Sequence, residues 1–164
     1  MRPYNQIMRI RPFGREDLHA IVSIQAQSPE AARWTPTDYE RLADAPGGRI
    51  LVAEMETADP PKVLGFAAFH RVLDEAELRN MAVDPAHRQQ GVARALLVEA
   101  RCLLLRDGAR RVFLEVRASN KAALALYSSL GFAVHSLRRN YYHDPPDDAC
   151  VMCLEIHPPQ TSFS

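Results

Sequence analysis

Between residues 88 and 94 the chain reads Arg-Gln-Gln-Gly-Val-Ala-Arg, a glycine and an alanine between two cations, where a strand-like stretch gives way to a helical one. The first turn of a helix has backbone N–H groups with no partner inside the helix, and the macrodipole adds to their positive potential. Such a turn is a ready site for an anion, a diphosphate included. Gly91 and Ala93 keep side-chain bulk away from it, and Arg88 and Arg94 add charge beside it. The same residues also fit an ordinary strand-to-helix junction whose glycine relieves a tight turn, because short glycine motifs produce many false matches.

A second group lies downstream. Glu115 is the one acidic residue of Arg-Val-Phe-Leu-Glu-Val, residues 111–116, the most apolar strand-like run. In a strand covered on both faces an ionised carboxylate costs several kcal/mol unless something satisfies it. Two placements resolve this: the strand end, in water or paired with Arg117, or a part-buried position at the sheet's C-terminal edge. Clefts of open α/β sheets form at that edge, and a carboxylate there suits a general base. Asn120 and Tyr127 are about 10 Å apart along a helix, two turns, and so share a face. Asn120 fits a helix cap and Tyr127 a packing residue; the phenol also fits a proton donor beside a ligand-binding amide. Tyr141 and Tyr142 follow Arg138-Arg139-Asn140 with prolines nearby. They suit a loop that grips a ligand by aromatic contact and hydroxyl hydrogen bonds, or one that packs on its own hairpin.

The elements that must position these groups are legible from apolar spacing. Met8 to Pro12 reads as a short strand, and Glu16 to about Gln27 as a helix. Thr35-Pro36-Thr37-Asp38 opens another helix, with Thr35 as cap, Pro36 at its first position and Asp38 completing a capping box. Strands are expected over 49–54, 63–72 and 78–83, ended by Asp84-Pro85, since proline has no N–H for a ladder. A helix follows from near Gln89 to Asp107-Gly108, with Val92, Leu96, Ala100 and Leu103 on one stripe, then the strand of Glu115. Strand, helix and strand in that order make a parallel βαβ unit with its second strand near the sheet centre. Ser119-Asn120 can cap the next helix, which stops at Gly131. Residues 132–137 are expected as a strand, 138–148 as a polar and aromatic loop, and 149–156 as the closing strand. This is a mixed α/β sheet with about four flanking helices.

The chain of 164 residues is long enough for one domain with a proper core, and its 20 basic and 20 acidic side chains cancel. The absence of a basic excess argues against a nucleic-acid partner. No apolar run is long enough to span a bilayer, and the start lacks a signal-peptide core; no membrane partner and a cytoplasmic location are expected. Cys150 and Cys153 fall three apart in a strand pattern, on opposite faces, and read as structural thiols. The six histidines show no ligand spacing, and no metal is expected.

The order of elements, the Arg88-x-x-Gly91-x-Ala93 turn and Ala-Leu-Tyr-Ser-Ser-Leu-Gly-Phe at residues 125–132 resemble the GNAT acyltransferases, which use acetyl-CoA. More narrowly, Leu114-Glu-Val-Arg-Ala-Ser-Asn120, Ala125-Leu-Tyr127 and Arg138-Arg-Asn-Tyr-Tyr142 are similar to the bacterial RimI group, which acetylates the N-terminal alanine of a small-subunit ribosomal protein. Trp34-Thr-Pro-Thr-Asp-Tyr39 resembles the family's helix pair over the substrate groove. The resemblance implies a single GNAT-like domain over residues 8–156, mostly antiparallel around the central parallel unit, with tails at 1–7 and 157–164. It implies that the backbone of Met81, Ala82 and Val83 lines the acetyl-pantetheine. Gln89, Gln90, Gly91, Val92, Ala93 and Arg94 would cradle the diphosphate, and Asn120 would touch the pantetheine arm. Glu115 matches the family's proton acceptor, Tyr127 its proton donor, and Tyr141 and Tyr142 residues that contact the incoming peptide end. Ala93 stands where glycine is common. Another N-terminus, a lysine or a small amine as acceptor, and a non-catalytic CoA-binding domain, are the alternatives.

Overall fold

A computed structural model describes residues 7–160; residues 1–6 and 161–164, most of the two expected tails, lie outside the described residues. The chain begins with β1 (Met8–Pro12), a 3-10 turn at Arg15–Asp17, α1 (Leu18–Ala26) and α2 (Pro36–Asp44). The capping box at α2 forms as its sequence expects: Asp38 N–H donates to the Thr35 hydroxyl at 3.3 Å, and Thr35 N–H to the Asp38 carboxylate at 2.7 Å. Next come β2 (Gly48–Met55), β3 (Lys62–Val72), β4 (Glu75–Val83) and a 3-10 turn at Pro85–His87. The order continues with α3 (Val92–Arg106), β5 (Arg111–Arg117), α4 (Lys121–Ser129), β6 (Ala133–His143) and β7 (Pro146–Glu155). Among the described residues the strands form one sheet in the order β1-β2-β3-β4-β5-β7-β6. The pair β4–β5, joined through α3, is parallel, with Glu75–Glu77 in register against Arg111–Phe113. The expected βαβ unit is therefore present.

The described residues pack as two compact units, one of the residues up to His70 with Arg79–Ala100, the other of Arg71–Leu78 with the residues from Arg101 on. In the first, Ile21 and Ile24 of α1 and Tyr39 of α2 bury against Ile50, Val52, Phe66, Ala68 and Ala82. Each large side chain so buried contributes about 1.5–3 kcal/mol. The alternate face of β3 carries Gly65, where an added Cβ would sit 2.8 Å from the Ala82 carbonyl and 3.2 Å from Val92. That glycine lets β4 and the head of α3 close on β3. At the β1 end Arg11 forks onto Asp17 through two 2.8 Å bonds and reaches Glu54 at 2.7 Å. Burial opposes ionisation of Asp17, but Arg11 and the Gly14 N–H outweigh it and hold the carboxyl below its ordinary range.

Three sequence expectations need correction. The helix expected from near Gln89 starts at Val92, because Gln89 and Gly91 take φ of 59° and 83°, left-handed values that interrupt a right-handed helix. The run 111–116 is not covered on both faces: Val112, Leu114 and Val116 are buried, while Phe113, Glu115 and Arg117 are half-buried. Residues 138–148 are not a loop. β6 continues to His143 and β7 begins at Pro146, pairing His143 with Pro146 and Tyr142 with Asp147. Tyr141 and Tyr142 therefore stand on a strand. Cys150 is buried in β7 and Cys153 half-buried, both as free thiols. Among the described residues no helix is long and apolar enough to cross a membrane.

Candidate active site

Of the residues singled out in the sequence, Met81, Ala82, Val83 and Gln89 to Arg94 belong to the first unit, and Glu115, Asn120, Tyr127, Tyr141 and Tyr142 to the second. In the first unit, Ala95 N–H donates to the Gly91 carbonyl at 3.0 Å. That is the opening bond of α3, so the N–H groups of Gly91, Val92 and Ala93 precede it. A Cβ on Gly91 would meet nothing within 4 Å. The glycine is required by its positive φ, and the space beside it stands open for a ligand. The Gln90 amide caps the preceding turn, donating to the Ala86 carbonyl at 3.4 Å. Arg88, read in the sequence as charge beside the anion, is engaged elsewhere: it donates to the Gln27 carbonyl and to the Ser28 hydroxyl, both at 3.1 Å. Upstream, the Ala82 side chain is buried in the core. Met81 and Val83, on either side of it, are half-buried.

In the second unit Glu115 is 24% exposed at its side chain, and its Oε1 lies 3.1 Å from Arg138 Nη1. Tyr141 also hydrogen-bonds this carboxylate, and that contact raises the Tyr141 phenol. The sequence offered Arg117 as partner instead; Arg117 donates to the Pro145 carbonyl at 2.8 Å and stacks over the Tyr142 ring at 4.1 Å. Asn120 caps α4, its Oδ1 accepting from Ala123 N–H at 3.2 Å. Tyr127 is buried in an edge-on contact with Phe132 at 5.8 Å. Burial first, and Tyr142 second, push its phenol up to about 12. It therefore stays protonated across the neutral range.

Sequence reasoning missed two polar features. Arg138 was read only as part of a motif, with no signal of its contact to Glu115. The other is Asn80, buried beside Met81: its Nδ2 lies within hydrogen-bond distance of Ala32 O at 3.2 Å, Gln25 Oε1 at 3.1 Å and the Tyr39 hydroxyl at 3.0 Å, three oxygens sharing its two N–H groups, and its Oδ1 accepts from Ala32 N–H at 3.0 Å. Tyr39 in turn donates to Gln25, and Gln25 to the Trp34 carbonyl at 2.8 Å. This cluster fastens the segment between α1 and α2 to β4. Among the described residues no group of His, Cys, Asp and Glu could hold a metal ion.

The first unit thus carries main-chain N–H groups at the head of α3, and the second a half-buried carboxylate on β5 and a buried phenol on α4. The chain belongs to the GNAT acetyltransferase family, whose model matches residues 16–132. Within that family it is similar to the ribosomal protein bS18-alanine N-acetyltransferase of Escherichia coli strain K12, 42% identical over 142 residues, 85% of this chain and 92% of the relative. The Salmonella typhimurium enzyme of the same name is 47% identical over 132 residues, 79% of this chain and 88% of the relative. The crystal structure of the Escherichia coli ribosomal-protein-S18-alanine N-acetyltransferase superposes with a TM-score of 0.80 at 34% identity, covering 96% of this chain and 99% of that one.

Proposed function

We propose that this chain, in the cytoplasm, transfers the acetyl group of acetyl-CoA to the α-amine of a protein N-terminus, the N-terminal alanine of ribosomal protein bS18. The observation that carries the choice of acceptor is likeness to relatives of that name over nearly their whole length. The N–H groups at the head of α3 hold the diphosphate. The parallel register ends at Glu77, before Met81, and this supports backbone from Met81 to Val83 as the lining of the thioester and the donor set for its oxyanion. Asn120, fixed as a cap, meets the pantetheine arm, and Tyr141 and Tyr142 meet the peptide end.

An α-amine has a pKa near 8, so at neutral pH most of it is protonated and cannot attack. Glu115 takes that proton, directly or through water. The free amine attacks the thioester carbonyl, the C–N bond forms, the nitrogen releases its second proton to water, and collapse breaks the C–S bond. Tyr127 donates to the departing sulfur. A thiol near 8.5 is a stronger acid than this buried phenol, so Tyr127 acts by sharing its proton while the bond breaks. Holding the two reactants together supplies much of the rate. The test uses peptides beginning with alanine, free or blocked at the α-amine, and lysine-bearing peptides, each followed by mass and by released CoA thiol. Acetylation of the free alanine terminus alone is expected. Transfer only to lysine would overturn the acceptor, and acetyl-CoA binding without transfer would overturn the enzyme.

A further inference from the structure

We infer that Arg138 is a positioning residue for the acceptor: paired with Glu115, it keeps that carboxylate from trapping the incoming ammonium as a stable ion pair. The inference rests on Glu115 being the proton acceptor proposed above. It concerns how that residue remains productive.

The arrangement depends on an irregular strand. Residues 138 and 141 of a regular strand point to opposite faces, yet here both reach Glu115. Arg138 Nη1 lies 3.1 Å from Glu115 Oε1, the Arg138 guanidinium stands 5.6 Å from the Tyr141 ring centroid, and Tyr141 hydrogen-bonds the same carboxylate. Arg138 pairs with Ala149 and Tyr142 with Asp147, which leaves Arg139, Asn140 and Tyr141 opposite Asp148 alone. The extra residues form a bulge that re-aims side chains. Asn140 sits in it at φ 53° with its N–H held by the Asp148 carboxylate at 2.8 Å. The bulge gives up ladder bonds and puts a non-glycine residue in the left-handed region, and what it yields is convergence on Glu115. The other charged groups on this face of β5 are Arg111, paired with Glu75, and Arg117, held by the Asp144 and Pro145 carbonyls at 3.3 and 2.8 Å. Opposite Glu115 on β7 stands uncharged Val151.

The proton step is R–NH3+ plus carboxylate giving R–NH2 plus carboxylic acid, with the lone pair left on nitrogen. A carboxylate without a counter-ion favours the ammonium side, since an opposite charge nearby stabilises the charged form. Binding gained that way tightens the ground state and does nothing for the transition state. With Arg138 on Glu115 the acceptor meets a nearly neutral pair, and a second cation close to its nitrogen favours the free amine.

The test is steady-state kinetics of Arg138→Gln and Arg138→Lys with an alanine-first peptide between pH 6 and 9.5 at saturating acetyl-CoA. Arg138 is 54% exposed at its side chain, and a melting curve checks that the variants fold. For Arg138→Gln the acceptor KM should fall and kcat at pH 7 should fall about tenfold. Arg138→Lys should restore both constants. A KM that rises or stays put in Arg138→Gln, a kcat that does not fall, or a lysine variant as altered as the glutamine one would each overturn the inference. Glu115→Gln is measured alongside. Full turnover there would remove the base itself, whereas a slow Glu115→Gln with an unaltered Arg138→Gln removes only the role of Arg138.

Discussion

At the head of α3 the groups that would meet an anion are main-chain N–H groups, and the side chains there mostly contribute by being small or by looking elsewhere. Gly91 supplies a positive φ and open space, Ala93 adds little bulk, and Arg88 is tied to Gln27 and Ser28. On β5, α4 and β6 the reverse holds. Glu115, Tyr127, Arg138 and Tyr141 would act through their side-chain atoms, and the backbone contributes a bulge in β6 between Arg138 and Tyr142. A site made of backbone tolerates most substitutions and fails where conformation or space is lost. A site made of side chains fails at a single functional group, with the fold intact.

The side-chain half should therefore show the largest effect. Glu115→Gln is nearly isosteric and keeps a hydrogen-bonding head, yet it cannot accept the ammonium proton. Turnover is expected to fall by about 10²-fold or more, the usual scale for a lost general base, while calorimetry gives an unchanged acetyl-CoA Kd. A variant with normal kcat would break the comparison at its strongest point. Gly91→Trp probes the other half. A non-glycine residue at φ 83° costs about 1–2 kcal/mol of stability, visible as a melting temperature a few degrees lower. The indole enters space where the protein itself offers no clash within 4 Å, so the larger loss should be in acetyl-CoA affinity, about tenfold or more. Unchanged binding would mean that the turn holds no diphosphate.

The sequence was readable where a local rule sets the structure. The α2 cap, the stop at Asp84-Pro85 and the strand limits of β1 and β5 follow from residues within a few positions of one another. The turn between β4 and α3 was readable for the same reason, apart from the three residues by which α3 starts late. The hairpin of β6 and β7 was not, because β6 is an edge strand exposed along most of its length and so carries no alternation of apolar and polar residues. Nor were the polar contacts that span the chain. Arg138 on β6 reaches Glu115 on β5 across the intervening β7, and Asn80 reaches Ala32 over 48 positions. Arg11 reaches Glu54 over 43. No periodicity records a partner that far away.

Tyr127→Phe sharpens the comparison inside the side-chain half. The ring keeps its contact with Phe132 and loses only the hydroxyl, so acetyl-CoA affinity should hold while kcat falls about tenfold, the lower range for a positioned acid. An equal loss in binding would make the hydroxyl a ligand contact instead of a proton donor. The smallest effect expected is on stability at high pH, and its sign follows from burial. The folded state holds the Tyr127 phenol at about 12, against 10.0 for the free side chain. Below pH 10 both states are neutral at this group, and the stabilisation is fully present. Above it the unfolded chain ionises first, so the folded state binds more protons and stability declines with rising pH until the folded phenol also ionises near 12. Tyr39 and Tyr141 are raised as well, so the wild type has several such contributions. The measurement is the difference in slope between wild type and Tyr127→Phe in urea unfolding from pH 9 to 11. A shallower decline in the variant assigns one share to Tyr127. Parallel slopes would mean that this phenol is reached by water, and a hydrated phenol is a poorer candidate for delivering its proton to sulfur alone.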